Sequence, residues 1–226
     1  TAGSKRVVVS APFEGDGVHD TILLGINTDE LKTCQVSSNA SCTTNAASPV
    51  IKIMDETLGI KKAMLSTVHA YTSAQRLVDS PDAKDWRRGR AGSANIIPST
   101  TGAALAVSKA IPALKDKFDG IAIRVPIITG SLVDLTFLAG RETSVEEVNA
   151  ILTKASKEKR WEELLEVTHD QLVSSDIIGN AHASIVDLEY TKVVGGDLVK
   201  ILAWYDNEMG YTKTLLEHVI LSGSYA

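Results

Sequence analysis

ASIVDLEYTKVVGGDLVKILAWYD, residues 183–206, decides the fold class. Two long runs rich in Val, Ile, Leu and Tyr flank Gly195-Gly196. Glycine enters the left-handed backbone of a tight hairpin at little cost, so the stretch reads as an antiparallel pair. Upstream, GIAIRVPIIT (120–129) and SLVDLTFLA (131–139) stand either side of Gly130 and read as a second hairpin. KKAMLSTVHAYT (61–72) reads as a further strand. Hairpins interleaved with a few helices predict an α+β unit, a mainly antiparallel or mixed sheet with helices on one face.

The residues before 40 are of another style. RVVVSAP (6–12) and TILLGIN (21–27) are continuous apolar runs of the kind buried on both faces of a parallel sheet, with a short third strand at 33–37. EGDG (14–17) is turn punctuation. The change of style sets domain bounds of 1–40, 41–207 and a final helix in 208–226. Helical spacing of Val50, Ile53, Met54 and Leu58 predicts a helix ended by Gly59, with Pro49 early enough to sit near its first turn. PSTTG (98–102) opens an Ala-rich helix, and Ser144 with Glu147 forms a capping-box pattern ahead of a helix over 145–157. An amphipathic helix runs over 208–220, and 73–93 is a long polar loop of the sort that is usually functional.

The 226 residues carry 23 Lys and Arg against 28 Asp and Glu, a net charge of −5, with 44% hydrophobic residues. That composition supports a core and argues against disorder and against general nucleic-acid binding, which needs a basic field. No apolar run is long enough to span a bilayer, so no membrane partner is expected. Two cysteines cannot staple a chain of this size; they suit a reducing compartment, and a cytoplasmic location is expected. The chain begins at Thr1 and reads as an apolar strand by Val7, so it is expected to be a piece of something longer.

SSNASCTTNAASP (37–49) places Cys42 where a strand gives way to a helix. Amide groups and the positive end of the helix dipole there favour a thiolate, which marks a nucleophile. A small buried thiol behind an N-cap at Ser41 or Thr43 fits the same pattern. His69 ends a strand beside Tyr71 and Thr72, where it either serves Cys42 as base or caps a backbone carbonyl. Cys34 reads as core and His218 as a helix-face residue. PSTTG offers hydroxyls and free amides at a helix N-terminus, a natural anion site or an ordinary cap. Arg124, inside an apolar strand, needs an oxyanion partner. WRRGR (86–90) is a third anion candidate, although its loop position favours a solvated or interface role. GDGVHD, from Gly15, is the nearest approach to a dinucleotide fingerprint and does not match one.

SNASCTTN (38–45), STVHAYT (66–72), NIIPSTTGAA (95–104), RVP (124–126) and AWYDNEMGY (203–211), in that order, resemble phosphorylating glyceraldehyde-3-phosphate dehydrogenases. The resemblance runs from Thr1 nearly to the C-terminus and covers that family's catalytic domain with the tail of its Rossmann-type nucleotide-binding domain. It implies oxidation of glyceraldehyde 3-phosphate to 1,3-bisphosphoglycerate, with Cys42 as nucleophile and His69 as base. It assigns the substrate phosphate to Thr72 and Arg124, and the attacking inorganic phosphate to Ser41, Thr43, Thr101 and Gly102. Ser10, Asn207 and Tyr211 fall to the cofactor, NAD or NADP, with Asn207 on the nicotinamide carboxamide. A homotetramer is implied, with the 73–93 loop near a neighbour's cofactor. Ala46 stands where the family often has a second cysteine. The glycine-rich turn and ribose-binding acid of the family's first domain are absent from this sequence. The last helix would pack on that domain, which predicts an exposed face at Leu215, Leu216 and Val219. Three alternatives stand beside this reading: a non-catalytic binding or oligomerisation fragment, an erythrose-4-phosphate dehydrogenase, and a thiol hydrolase built on the Cys–His pair.

Overall fold

The computed structural model describes residues 3–13, 20–83 and 85–226. The EGDG turn, His19 and most of the Gly15 segment lie outside the described residues. Two sheets are present. The small one is parallel, ordered β1 (Val7–Val9), β3 (Val36–Ser38), β2 (Asp20–Thr21). The large one has seven strands: β4 (Ile60–Ala70), β5 (Ile97–Thr100), β6 (Phe118–Val125), β7 (Ser131–Ala139), β8 (Leu165–Thr168), β9 (Ser184–Val194) and β10 (Leu198–Tyr205). Their order is β5-β6-β4-β7-β10-β9-β8, with β4–β6 and β8–β9 parallel and the remaining pairs antiparallel. The expected α+β class with a mixed sheet is what the chain adopts.

Three helices, α1 (Cys42–Thr57), α2 (Ala103–Ala110) and α3 (Val145–Ala155), cover one face of this sheet, and α4 (Met209–Gly223) packs against α1 and β1. Strict alternation in β7 and β10 sends Val133, Leu135, Phe137, Val199, Ile201 and Ala203 into one cluster with Val50, Ile51 and Met54 of α1. The hairpin at Gly195-Gly196 forms as read, with φ of +62° and +81° at the two glycines. Ser144 Oγ caps α3 by accepting from Glu147 N at 3.2 Å. No helix among the described residues is long and apolar enough to cross a membrane.

The hairpin expected around Gly130 does not form. β4 lies between β6 and β7, pairing His69 with Arg124 on one side and Ala63 with Phe137 on the other. A strand in the middle of a sheet takes ladders on both edges, and β4 takes them from the two runs that looked like each other's partners. The strand expected over 21–27 stops at Thr21. Asn27 Oδ1 accepts from Leu23 N, Ile26 N donates to Leu23 O, and Gly25 sits at φ +73°, so the apolar run closes into a turn. Ile97–Thr100 was read as the approach to a helix but is an edge strand, a place where Pro98 is tolerated. Pro49 lies well inside α1, since the helix begins at Cys42; its missing N–H leaves the Asn45 carbonyl without its usual intrahelical donor. Leu216 and Val219 are exposed as expected, while Leu215 is half-buried.

Candidate active site

The site grows from the end of β3. Asn39 and Ala40 carry the chain from the small parallel sheet into α1, and Ala40 does so at φ +55°, a left-handed conformation that a residue with a Cβ rarely adopts. Ser41 then takes the extended N-cap conformation, its Oγ accepting from Thr44 N at 3.1 Å. Cys42 is therefore the first residue of the helix. Its sulfur lies 3.4 Å from His69 Nε2, which β4 delivers from the neighbouring strand end. The thiol and the imidazole meet, and Cys34 is buried elsewhere, bonded to the Val36 carbonyl.

The parallel register sets Arg124 of β6 beside His69. The Ala70 carbonyl lies 2.7 Å from His69 Nδ1 and accepts from Arg124 Nη1 at 3.0 Å, and Arg124 Nη1 also lies within hydrogen-bond distance of the same Nδ1. Nε2 is the ring atom that faces the sulfur. Burial, with Arg124 Nη1 2.7 Å from Nδ1 adding positive charge, pushes His69 down to about 4. Burial also pushes the Cys42 thiol up, against the pull of the Thr43 N–H and hydroxyl and of Arg124. The helix start alone predicted a lowered thiol. The tertiary structure partly covers the half-buried Cys42, and desolvation outweighs the helix end. Both shifts favour the uncharged forms, a thiol facing a neutral imidazole.

Arg124 has no carboxylate within ion-pair distance among the described residues, and its Nε is buried without a partner. Arg88, from the WRRGR run, presses its charge on Arg124, donates to Thr100 Oγ1 at 3.4 Å, and likewise leaves its Nε unpaired. Two guanidinium groups gathered this way call for an anion. Thr72 lies just past β4, where Gln75 Oε1 accepts from its N–H at 3.0 Å. Thr101 and Gly102 open α2 next to Thr100; Thr101 Oγ1 accepts from Ala103 N at 3.2 Å, and the space in front of Gly102 is open. Among the described residues no hydrogen bond joins Thr101 or Gly102 to the Cys42–His69 pair.

On the other flank, Asn207 Oδ1 accepts from Gly130 N at 3.1 Å and Ser131 Oγ at 2.9 Å, and Ser131 Oγ in turn accepts from Ala70 N. Asn207 is thus tied to the strand end that bears His69. Ser10 and Tyr211 meet each other at 3.0 Å, and the Tyr211 hydroxyl also reaches the Ala40 carbonyl. Tyr205 went unremarked in the sequence. Its buried hydroxyl joins Thr43 Oγ1 at 2.9 Å to Thr67 Oγ1 at 2.8 Å, and its ring meets His69 edge-on at 5.8 Å. A tyrosine at the end of an alternating strand carries no signal of that role; only the packing of β10 against β4 and α1 creates it.

A family profile described as "Glyceraldehyde 3-phosphate dehydrogenase, C-terminal domain" matches residues 41–207. The chain belongs to this family. The glyceraldehyde-3-phosphate dehydrogenase 2 of Streptomyces avermitilis is 46% identical over 224 residues, covering 98% of this chain and 66% of the relative. The Streptomyces coelicolor enzyme gives the same identity and coverage. That of Mycobacterium tuberculosis is 46% identical over 223 residues, 64% of its own length. The chain therefore spans slightly less than two thirds of the glyceraldehyde-3-phosphate dehydrogenases it resembles.

Proposed function

We propose that this chain provides the catalytic part of a phosphorylating glyceraldehyde-3-phosphate dehydrogenase. The observation that carries the proposal is the Cys42–His69 pair at 3.4 Å beside an arginine with no carboxylate partner. Residues 41–207 form the catalytic domain in this reading. Residues 1–40 end a dinucleotide-binding domain, and 208–226 form the helix that rests on it.

Cys42 gives its proton to His69 Nε2 as sulfur attacks the aldehyde carbon, and the proton passes to the new oxyanion to complete a hemithioacetal. Arg124 and Thr72 hold the substrate phosphate. His69 then withdraws the hydroxyl proton while the carbon loses hydride, leaving a thioester on Cys42. Inorganic phosphate, held by Ser41, Thr43, Thr101 and Gly102, attacks the thioester carbonyl. The C–S bond breaks, 1,3-bisphosphoglycerate departs, and sulfur recovers its proton. A nicotinamide, when bound, supplies the hydride acceptor. Asn207 fits its carboxamide: the side-chain oxygen is already held by Gly130 and Ser131, which leaves its NH2 group free to donate among the described residues. Ser10 and Tyr211 line the same side. NAD is the expected cofactor, with NADP the alternative; a homotetramer in the cytoplasm is the expected assembly.

The last step run backwards needs no cofactor and tests the proposal directly. Incubation with 1,3-bisphosphoglycerate is expected to transfer its phosphoglyceroyl group to Cys42, read by intact mass and lost in Cys42→Ser. Arg124→Leu is expected to raise the concentration needed by roughly ten- to a hundredfold. Acylation of Arg124→Leu at the wild-type concentration refutes the substrate-phosphate role, and no acylation of the wild type refutes the reaction.

A further inference from the structure

α4 buries the wrong face for an ordinary amphipathic helix. Gly210, Thr214, His218 and Ser222, four residues apart along one stripe, are buried, while Leu216, Val219 and Ile220 are exposed. A buried polar stripe is tolerated only where its groups find partners, and Thr214 and His218 of α4 find theirs on the segment that leads into Cys42. His218 Nε2 meets Ser37 Oγ at 2.8 Å, and its Nδ1 meets Asn39 Oδ1 at 3.1 Å. Asn39 Nδ2 donates to Thr214 Oγ1 at 3.2 Å, and Tyr211 reaches the Ala40 carbonyl.

Asn39 is saturated. Its N–H donates to Val9 O, its carbonyl accepts from Asn45 Nδ2, and both ends of its side chain are taken by α4. The next residue is Ala40 at φ +55°, then the Ser41 cap, then the nucleophile. A left-handed alanine persists only where its surroundings over-determine it. Asn39 supplies that restraint, and His218 orients Asn39.

We propose that His218 is a positioning residue for Cys42, acting through the Asn39 side chain to hold the Ala40 turn and aim the thiol at His69. The proposal takes Cys42 as the nucleophile, as above. It is tested by alkylation, which needs neither substrate nor cofactor, so a failure of the proposed reaction does not decide it.

The experiment measures the pH–rate profile of iodoacetamide labelling at Cys42 in the full chain, with Cys34 as internal reference and thermal melting followed in parallel. His218→Asn keeps a donor near the Nδ1 position, and its profile is expected to match the wild type. His218→Gln loses that donor and is expected to label about tenfold more slowly or with a displaced profile, since small misplacements of reacting groups carry effects of that order. Ser37→Ala removes the other His218 bond and is expected to lower the melting temperature without moving the profile. Should His218→Gln not fold, Thr214→Val breaks the second α4 bond to Asn39 and is expected to slow labelling likewise. Wild-type profiles in every folded variant overturn the proposal, and so does a Ser37→Ala profile displaced as far as that of His218→Gln.

Discussion

Acid should destabilise this protein in part through a single buried ring. His218 is enclosed by α4 and the β3 segment, and burial pushes it down to about 4 from the usual 6.5. As pH falls below 6.5 the unfolded chain takes up a proton on this histidine, while the folded chain does not until about 4. The stability that neutral His218 contributes is therefore complete above the unfolded value and is lost as pH falls through the folded one. Over that interval each unit is worth about 1.4 kcal/mol, which gives roughly 2–3 kcal/mol between about pH 7.5 and about pH 4.5. His69 titrates in the same window, and the carboxylates add their own slope, so a difference is measured. Urea unfolding at the two pH values in wild type and His218→Gln isolates the ring: the variant starts less stable and loses roughly 2–3 kcal/mol less on acidification. Equal acid losses in the two proteins refute the assignment of His218 as a dry, neutral histidine.

Two further perturbations probe the frame of the site. Tyr205→Phe removes a hydroxyl that bridges Thr43 and Thr67, leaving both threonines without that partner in a dry setting; a loss of about 1–3 kcal/mol in chemical unfolding is expected. A neutral result shows that the bridge contributes nothing net. Gly130→Ala sets a Cβ 2.3 Å from the Ser174 carbonyl at a backbone φ of +88°, so the chain must shift; at least about 2 kcal/mol of destabilisation is expected by urea titration, and an unchanged midpoint refutes the close approach.

Local chemistry made much of this molecule legible in one dimension. The Gly195-Gly196 hairpin, the Ser144 cap and the helix starting at Cys42 follow from turn glycines, capping hydroxyls and apolar spacing, all of which act within a few residues. Cys42, His69 and Arg124 were readable as candidates because each is a chemically unusual residue at the end or in the middle of an otherwise ordinary element. Pairing was not readable. The strand that separates β6 from β7 comes from sixty residues upstream in roughly equal apolar language, and nothing local distinguishes a hairpin from two flanks of a third strand. The ionisation of the thiol was not readable either: the helix end that favours a thiolate is a local feature, whereas the desolvation that outweighs it depends on what β4, β6 and β10 bring over the sulfur. The sequence by itself determined most of the elements, the family and which residues stand as candidates for the chemistry. The tertiary structure alone decided which strand lies beside which, how dry Cys42 is, and that α4 turns its polar side inward onto Asn39, because burial and long-range hydrogen bonds are properties of neighbours that the chain brings together only on folding.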